Sequence, residues 1–328
     1  MESPTKNRQT VETIEALVDA AYGARQVPKA DGSIVELKRG RFNAVYRVRL
    51  RDGRDVALKI APSPEVNVLT YEQRLMANEL AAIELIARRS AAPVPHVEHI
   101  FDGAGPVGAP CFFMAFVDGE NLGELLEHGE KADAPRLDHL MTELGRVNRV
   151  LNGIRGSSFG YVGDPVFSDW PQAFRRMVED VLADGHRAQV RLEDIEERAA
   201  AALDLHSDAL RAVTSPVLVS WDLWPGNAIV TKSMLVGVVD HERSLWGDPL
   251  MEAGFMNPNI PIFPREQAFA RGYGVVQGDE SGRARKALYA LHRLLIMAVE
   301  PSYRGHQDPR QEVWSLERIR GLLTSLGV

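Results

Sequence analysis

Two hydrophobic periods divide this chain. In its early part, apolar residues come in short runs (33–37, 44–50, 55–60, 97–101 and 111–116) separated by glycine, proline and charged residues, the pattern of β-strands. Asp52-Gly53 supplies a tight turn between the second and third runs. Two stretches of the same region carry the helical period instead. The first has Thr10 as its cap, Val11, Ile14, Leu17, Val18 and Ala21 on one face, and Gly23 to end it. The second is 71–89, with Leu75, Leu80, Ile83, Leu85 and Ile86 apolar and Pro93 and Pro95 beyond it. After Gly119 the helical period takes over. Leu137, Leu140, Met141 and Leu144 open one stripe, Trp170, Phe174, Met177 and Val178 a second with Asp169 as its cap, and Leu192, Ile195, Ala199 and Ala202 a third. Further helices are expected around 265–273, 283–297 and 311–326. The pattern predicts an α+β chain in two parts: a sheet-based lobe over residues 1–117 and a larger, mainly helical lobe over 118–328.

Between the helices lies one stretch of strand character. The apolar run 217–219 reads as a buried strand that delivers Asp222 onto a loop. Asn227 follows five residues later, behind Pro225-Gly226. The run 228–230 then leads through Thr231-Lys232-Ser233 into 235–239, which ends on Asp240. A hairpin of this kind holds Asn227 and Asp240 at the same end of adjacent strands, so Asp222, Asn227 and Asp240 can converge. Two carboxylates and an amide oxygen are hard ligands, suited to Mg²⁺. The spacing D-x-x-x-x-N followed by a hairpin-end Asp is the layout of a kinase catalytic site. The competing reading is a Pro-Gly turn whose Asp and Asn cap their own backbone.

Composition narrows the class. Of 328 residues, 45% are hydrophobic and 25% charged, ordinary for a globular protein. The net charge of −7 argues against nucleic acid or an anionic membrane as the main partner. The single cysteine, Cys111, allows no internal disulfide and lies in an apolar run, which fits an inert buried thiol in a reducing cytoplasm. The start, Met1-Glu2-Ser3-Pro4-Thr5, has no apolar leader, and no apolar run is long enough to span a bilayer. A cytoplasmic protein with no nucleic-acid or membrane partner is expected.

The catalytic stretch resembles the aminoglycoside phosphotransferase family, small-molecule kinases that share the protein-kinase fold. The family pattern is approximately H-G-D-x-x-x-x-N, then I-D-W/F-E and later G-D-P. This chain has Ser220-Trp221-Asp222, Asn227, Val239-Asp240-His241-Glu242 and Gly247-Asp248-Pro249. Ser220-Trp221 replaces His-Gly, a departure that bears on loop geometry and keeps an inactive relative open. The resemblance runs from about Ile34 to Pro249 and implies a two-lobed kinase-like fold with a five-stranded antiparallel sheet. It implies that Asp222 orients the acceptor hydroxyl or takes its proton. Asn227 and Asp240 would hold Mg²⁺ on the phosphates of ATP or GTP. Asp248 would brace the catalytic loop by accepting backbone N–H bonds, with capping of the helix that follows it as a nearly equivalent role. Glu242, Glu252, Trp224 and Trp246 flank the site and are candidate substrate contacts, with a flanking core or surface role as the competing and favoured reading for any one of them.

The same resemblance extends to the first half. The turn Lys38 to Asn43 occupies the place of a nucleotide-covering loop, with Asn43 at its end, and Val45-Tyr46-Arg47-Val48 resembles V-Y-R-V. Only Gly40 stands where two glycines are usual. Val56-Ala57-Leu58-Lys59 matches V-A-I-K, in which a partly exposed strand lysine reaches the α/β-phosphates. Glu72, Glu79 and Glu84 are its candidate anionic partners. Glu79 is the one that falls on the family's E-x-x-x-L-x-x-L pattern; the other two are expected on a solvated face. Phe112 to Gly119 resembles the hinge, where the backbone of Ala115 and Val117 would bond the purine and Met114 would stand beside it.

The expected activity is therefore phosphoryl transfer from ATP or GTP to a hydroxyl of a small molecule, for instance an antibiotic such as an aminoglycoside. Fructosamine kinases offer an alternative, because Asp222-Leu223-Trp224-Pro225-Gly226-Asn227 fits their D-L-W-x-G-N pattern. A nucleotide-binding pseudokinase used as a binding module is a third reading. Residues 118–216 carry 19 Asp/Glu against 11 Lys/Arg, but residues after Asp240 carry 10 against 11, so no acidic tail awaits a polycation. A neutral or weakly charged acceptor is compatible with that balance.

Overall fold

The run Asp55–Ile60 becomes the middle strand of a five-stranded antiparallel sheet. The computed structural model describes residues 3–40, 42–103, 105–128, 133–256, 259–261, 263–274, 278–306 and 308–328. Arg41, in the expected nucleotide-covering turn, lies outside them. The backbone falls into two compact units, each described by itself: Met1–Val68 with Pro95–Asp118, and Leu69–Val94 with Gly119–Val328. The segment 69–94 lies inside the 1–117 lobe of the sequence reading; by its packing it goes with the second unit.

In the first unit, helix α1 (Val11–Tyr22) starts at Thr10, whose hydroxyl accepts from Thr13 N–H at 3.3 Å, and stops at Gly23 with φ +87°. Strands β1 (Ile34–Glu36), β2 (Ala44–Arg49), β3 (Asp55–Ile60), β4 (Val97–Phe101) and β5 (Cys111–Ala115) lie in the order β1-β2-β3-β5-β4. Every neighbouring pair is antiparallel. Alternate residues of β2 and β3, with Ile14, Leu17 and Val18 of α1 and Phe113 of β5, close one apolar core. Cys111 is buried in it, and burial pushes its thiol up to about 11, so it is an inert core residue.

The second unit begins with Thr70–Arg74, a 3₁₀ turn that leads into helix α2 (Leu75–Arg89). Helix is expected from residue 71, but tertiary bonds tighten this first turn. Thr70 gives both its N–H and its hydroxyl to Asp184 at 2.8 Å, and Glu72 accepts from Leu69 N–H at 3.1 Å. Glu72 is no surface residue. It is buried and gripped by buried Arg304, which also reaches Glu300 at 3.0 Å. Glu84 is exposed and pairs with Arg88.

Strand β6 (Glu120–Asn121) and helices α3 (Leu122–His128) and α4 (Ala134–Asn152) follow. Then come β7 (Gly160–Tyr161), α5 (Trp170–Arg187), α6 (Glu193–Leu205), α7 (Ser207–Arg211) and strands β8 (Val217–Val219), β9 (Ala228–Val230), β10 (Leu235–Val238) and β11 (Leu245–Gly247). Helices α8 (Glu266–Tyr273), α9 (Glu280–Tyr303) and α10 (Arg310–Ser325) end the chain. These six short strands form two three-stranded sheets, β10-β9-β6 and β7-β11-β8. Helices α5, α9 and α10 enclose one core around Trp170, Phe174 and Tyr289. Helices α4 and α8 enclose a second with the β9–β10 hairpin. α4 and α8 meet almost backbone to backbone: a Cβ on Gly272 would fall 1.8 Å from Thr142 O, so only glycine fits there.

Candidate active site

Strand β8 ends at Val219 and the chain turns at once. Asp222 N–H donates to Ser220 O at 2.7 Å, Trp224 N–H to Asp222 O at 3.0 Å, and Asn227 N–H to Trp224 O at 2.9 Å. Pro225–Asn227 forms a single 3₁₀ turn. The Asn227 side chain then donates through Nδ2 to Asp222 O at 3.0 Å, while Asn227 O accepts from Val239 N–H at 3.0 Å. One asparagine thus fastens the Asp222 loop to Val239, between the end of β10 at Val238 and Asp240, which lies beyond the strand rather than at its end as expected. Its donor atom is committed, so a metal would take Oδ1.

Two residues of this assembly have left-handed backbones: Trp221 at φ +58° and Asp240 at φ +67°. Neither is glycine, and such conformations cluster at functional sites. Trp221 stands where the family pattern has Gly, the residue that adopts this conformation without cost. Packing holds it there. The indole is 1% exposed, edge-on to Tyr71 (5.9 Å between centroids), tilted against His292 (5.4 Å), and covered by the Arg243 guanidinium 5.5 Å from its centroid.

The loop is braced by Glu252. That side chain is 0% exposed; Oε1 accepts from Ser220 N–H (2.9 Å), Asn148 Nδ2 (2.8 Å) and Asn152 Nδ2 (3.0 Å), and Oε2 from Trp221 N–H (3.0 Å). Burial pushes the Glu252 carboxyl above its ordinary range, and those four donors oppose the shift. Bracing was expected of Asp248, and substrate contact of Glu252; the geometry differs because each acid is buried against different neighbours. Asp248 caps its own turn at Leu250 N–H (3.1 Å) and ties it to α9 through Arg285 (2.5 Å) and the Tyr289 hydroxyl (2.6 Å). Trp246 is also a core residue. It lies so close to Gly156 that a Cβ there would be 2.6 Å from the ring, and it cannot face a substrate. Trp224 is exposed, its ring folded over Gly226.

Beside the loop, carboxylate oxygens of Glu79, Asp240 and Glu242 all lie within 4.8 Å of one another, and Glu79 and Glu242 are buried. Three carboxylates this close offer several oxygen ligands to a shared cation. An all-oxygen donor set, with Asn227 available to add an amide oxygen, fits a hard divalent ion such as Mg²⁺. Asn78 holds the cluster in register. Fully enclosed, it donates to Glu242 O (2.7 Å) and Ser244 O (2.8 Å) and accepts from Gly163 N–H (2.8 Å).

A family model described as the phosphotransferase enzyme family matches residues 33–291. The chain belongs to that family. Aminoglycoside phosphotransferase APH(4)-Ia, solved with AMP-PNP and hygromycin B, superposes with a TM-score of 0.68 at 16% identity, over 95% of this chain and 98% of that one. A putative fructosamine-3-kinase from Thermobifida fusca gives 0.68 at 19% identity, over 96% and 100%. APH(2")-IIa in complex with streptomycin and ATP gives 0.64 at 13%, over 96% and 97%. The two-lobed kinase-like fold is thereby established. Among curated proteins, a subtelomeric hrmA-associated cluster protein of Aspergillus fumigatus is 26% identical over 150 residues, 45% of this chain and 28% of that protein's length.

As a phosphotransferase-family member, the chain carries its motif residues in both units. In the second, Asp222 is partly exposed and its Oδ1 lies 3.2 Å from Arg293 Nη2; the same guanidinium approaches Trp221 O at 3.4 Å. In the first, Lys59 pairs across the sheet with Val45 and Phe112 and is 4% exposed, more enclosed than expected. Asn43 and Met114 are buried, and Ala115 and Val117 half-buried. Ala115 N–H is bonded to His96 O at 2.8 Å, so a purine could use only its carbonyl. Sequence reasoning missed Arg293, the Glu252 brace and Asn78. Asn78 had left a sign: it shares a helical face with Leu75, Ala82 and Ile86, an amide on an apolar stripe. Arg293 left none.

Proposed function

We propose that this protein transfers the γ-phosphoryl group of ATP or GTP to a hydroxyl of a small-molecule acceptor. The observation that carries the reading is the Asn227 fastening, which ties the Asp222 loop to Val239, the residue before Asp240. In this reading residues 118–328 form the catalytic and acceptor-binding part and residues 1–117 include the nucleotide-binding sheet. Asp222 orients the acceptor hydroxyl and takes its proton, with Arg293 holding the carboxylate in one rotamer. Asp240, Asn227 and the neighbouring carboxylates hold the metal, and Lys59 holds the α/β-phosphates. Bound Mg²⁺ supplies charge neutralisation on the phosphates. Val117 and the Ala115 carbonyl are assigned to the purine, Met114 to its edge, and Asn43 to the loop over the phosphates.

The relatives solved with hygromycin B and streptomycin support a hydroxylated acceptor, and antibiotic inactivation is the reading they favour. A fructosamine-type acceptor is the second reading, supported by Asp222-Leu223-Trp224-Pro225-Gly226-Asn227 and by the fructosamine-3-kinase neighbour. A pseudokinase is disfavoured by the ordered Asp222, Asn227 and Asp240. Among the described residues no helix is long and apolar enough to cross a membrane. The test is labelled-phosphate transfer from Mg·ATP and Mg·GTP to aminoglycosides, macrolides, peptide antibiotics, sugars and fructosamines. Mg·nucleotide binding without transfer to any of them would favour the pseudokinase.

A further inference from the structure

The turn Thr70–Arg74, helix α2, strand β7 and its following loop, and helix α5 line a half-open cavity of about 440 Å³ that no motif accounts for. Its size is that of small-molecule sites. Tyr71 and Tyr161 stack with ring centroids 6.4 Å apart and planes 12° from parallel, making one continuous aromatic wall. Phe167, Met177 and Ala77 add apolar surface, and Asn78 is a polar group in the lining.

Charge at the rim is already balanced. Asp164 is held by Arg74 at 2.6 Å and Asp180 by Arg176 at 2.8 Å. A polycation entering here would find no uncompensated carboxylate, and a polyanion no uncompensated guanidinium. An uncharged molecule with a flat apolar face would lose little on leaving water and gain the aromatic wall.

Two of its lining residues also contact residues that support the candidate site. Tyr71 meets edge-on the ring of Trp221, the residue before Asp222. Asn78 carries the carbonyls of Glu242 and Ser244, next to the carboxylate cluster. We propose that this cavity seats the acceptor, and that the acceptor is an uncharged, hydroxyl-bearing molecule with an aromatic or polycyclic face rather than a polycation. The proposal rests on the phosphotransferase reading above.

The test uses the full chain with saturating Mg·AMP-PNP and two probes, the neutral aryl glycoside 4-methylumbelliferyl β-D-glucoside and the polycation kanamycin. Binding is followed by fluorescence and calorimetry in wild type, Val166→Arg and Phe167→Ala. Val166 lines the mouth and is 66% exposed, so the arginine blocks entry without entering the core. The expected result is glucoside binding that weakens at least about tenfold in both variants, undiminished Mg·AMP-PNP binding, and no displacement of the glucoside by kanamycin. Equal glucoside affinity in wild type and Val166→Arg, absence of glucoside binding, or displacement by kanamycin would overturn the proposal. Failure of wild type to bind Mg·AMP-PNP would instead refute the phosphotransferase reading, and the acceptor assignment with it.

Discussion

Glu252→Gln removes one charge and almost no volume from the bond network beneath the catalytic loop. Glutamine can keep its oxygen toward Ser220 N–H, Asn148 and Asn152, but its NH₂ must then face Trp221 N–H, donor against donor. A buried N–H left without an acceptor costs about 1–3 kcal/mol, and three bonds that drop from charged to neutral acceptors lose up to about 1 kcal/mol each. Against this, the neutral side chain no longer carries the cost of burying a charge. The net expectation is a loss of roughly 2–4 kcal/mol in stability. The loop should shift as well, since Trp221 leads directly into Asp222, and a displacement near 1 Å costs about 10²-fold in rate. Urea unfolding followed by tryptophan fluorescence reads the first quantity, and kcat on a confirmed acceptor the second. An unchanged urea midpoint together with a kcat within twofold of wild type would refute the brace.

Four further outcomes are expected. Asp222→Asn should lower kcat by about 10²–10⁴-fold with Mg·ATP affinity near wild type by calorimetry; wild-type turnover would mean that Asp222 only shapes its loop. Asp240→Ala should abolish the Mg²⁺ dependence of nucleotide binding, and equal Mg²⁺ titrations for the two proteins would remove Asp240 from the metal site. Trp221→Gly relieves a left-handed backbone worth about 1–2 kcal/mol but empties a space whose filling is worth about 3–5 kcal/mol, so its thermal midpoint should fall; a rise would mean that packing does not hold the strain. His292 is buried, and burial lowers its pKa to about 3. Below about pH 6.5 the unfolded chain takes a proton that the folded protein refuses, so stability should fall by about 1.4 kcal/mol per pH unit until the folded value is reached. His292→Leu should flatten that slope between pH 6.5 and 5; parallel urea midpoints in the two proteins would contradict it.

Features set by neighbouring residues were legible in the sequence. Thr10 and Gly23 bound α1, and β3 and β4 span the apolar runs at 55–60 and 97–101, because caps and strand periods are local. The β9–β10 hairpin followed from its spacing, although β10 stops at Val238, two residues before Asp240. Distant partners were not legible. Glu72 reads as one more acid on a helix until Arg304 closes on it from 232 positions away. Asp248 and Glu252 present the same local signal, an acid beside a turn, and only the surrounding donors separate their roles. Strand β11 has three residues and no measurable period; it exists because both β7 and β8 pair with it.

The Asn78 bonds carry a consequence for control. In kinases whose glutamate-bearing helix can swing, that helix is a switch. Here α2 is bonded through Asn78 to Glu242 and Ser244, just past Asp240, and to Gly163, so Glu79 and that segment are held as one piece. Parting them means breaking three enclosed hydrogen bonds, about 3 kcal/mol at roughly 1 kcal/mol each, which leaves an open form below about 1% of molecules. An effector that worked by turning α2 would have to favour the open form by more than that energy.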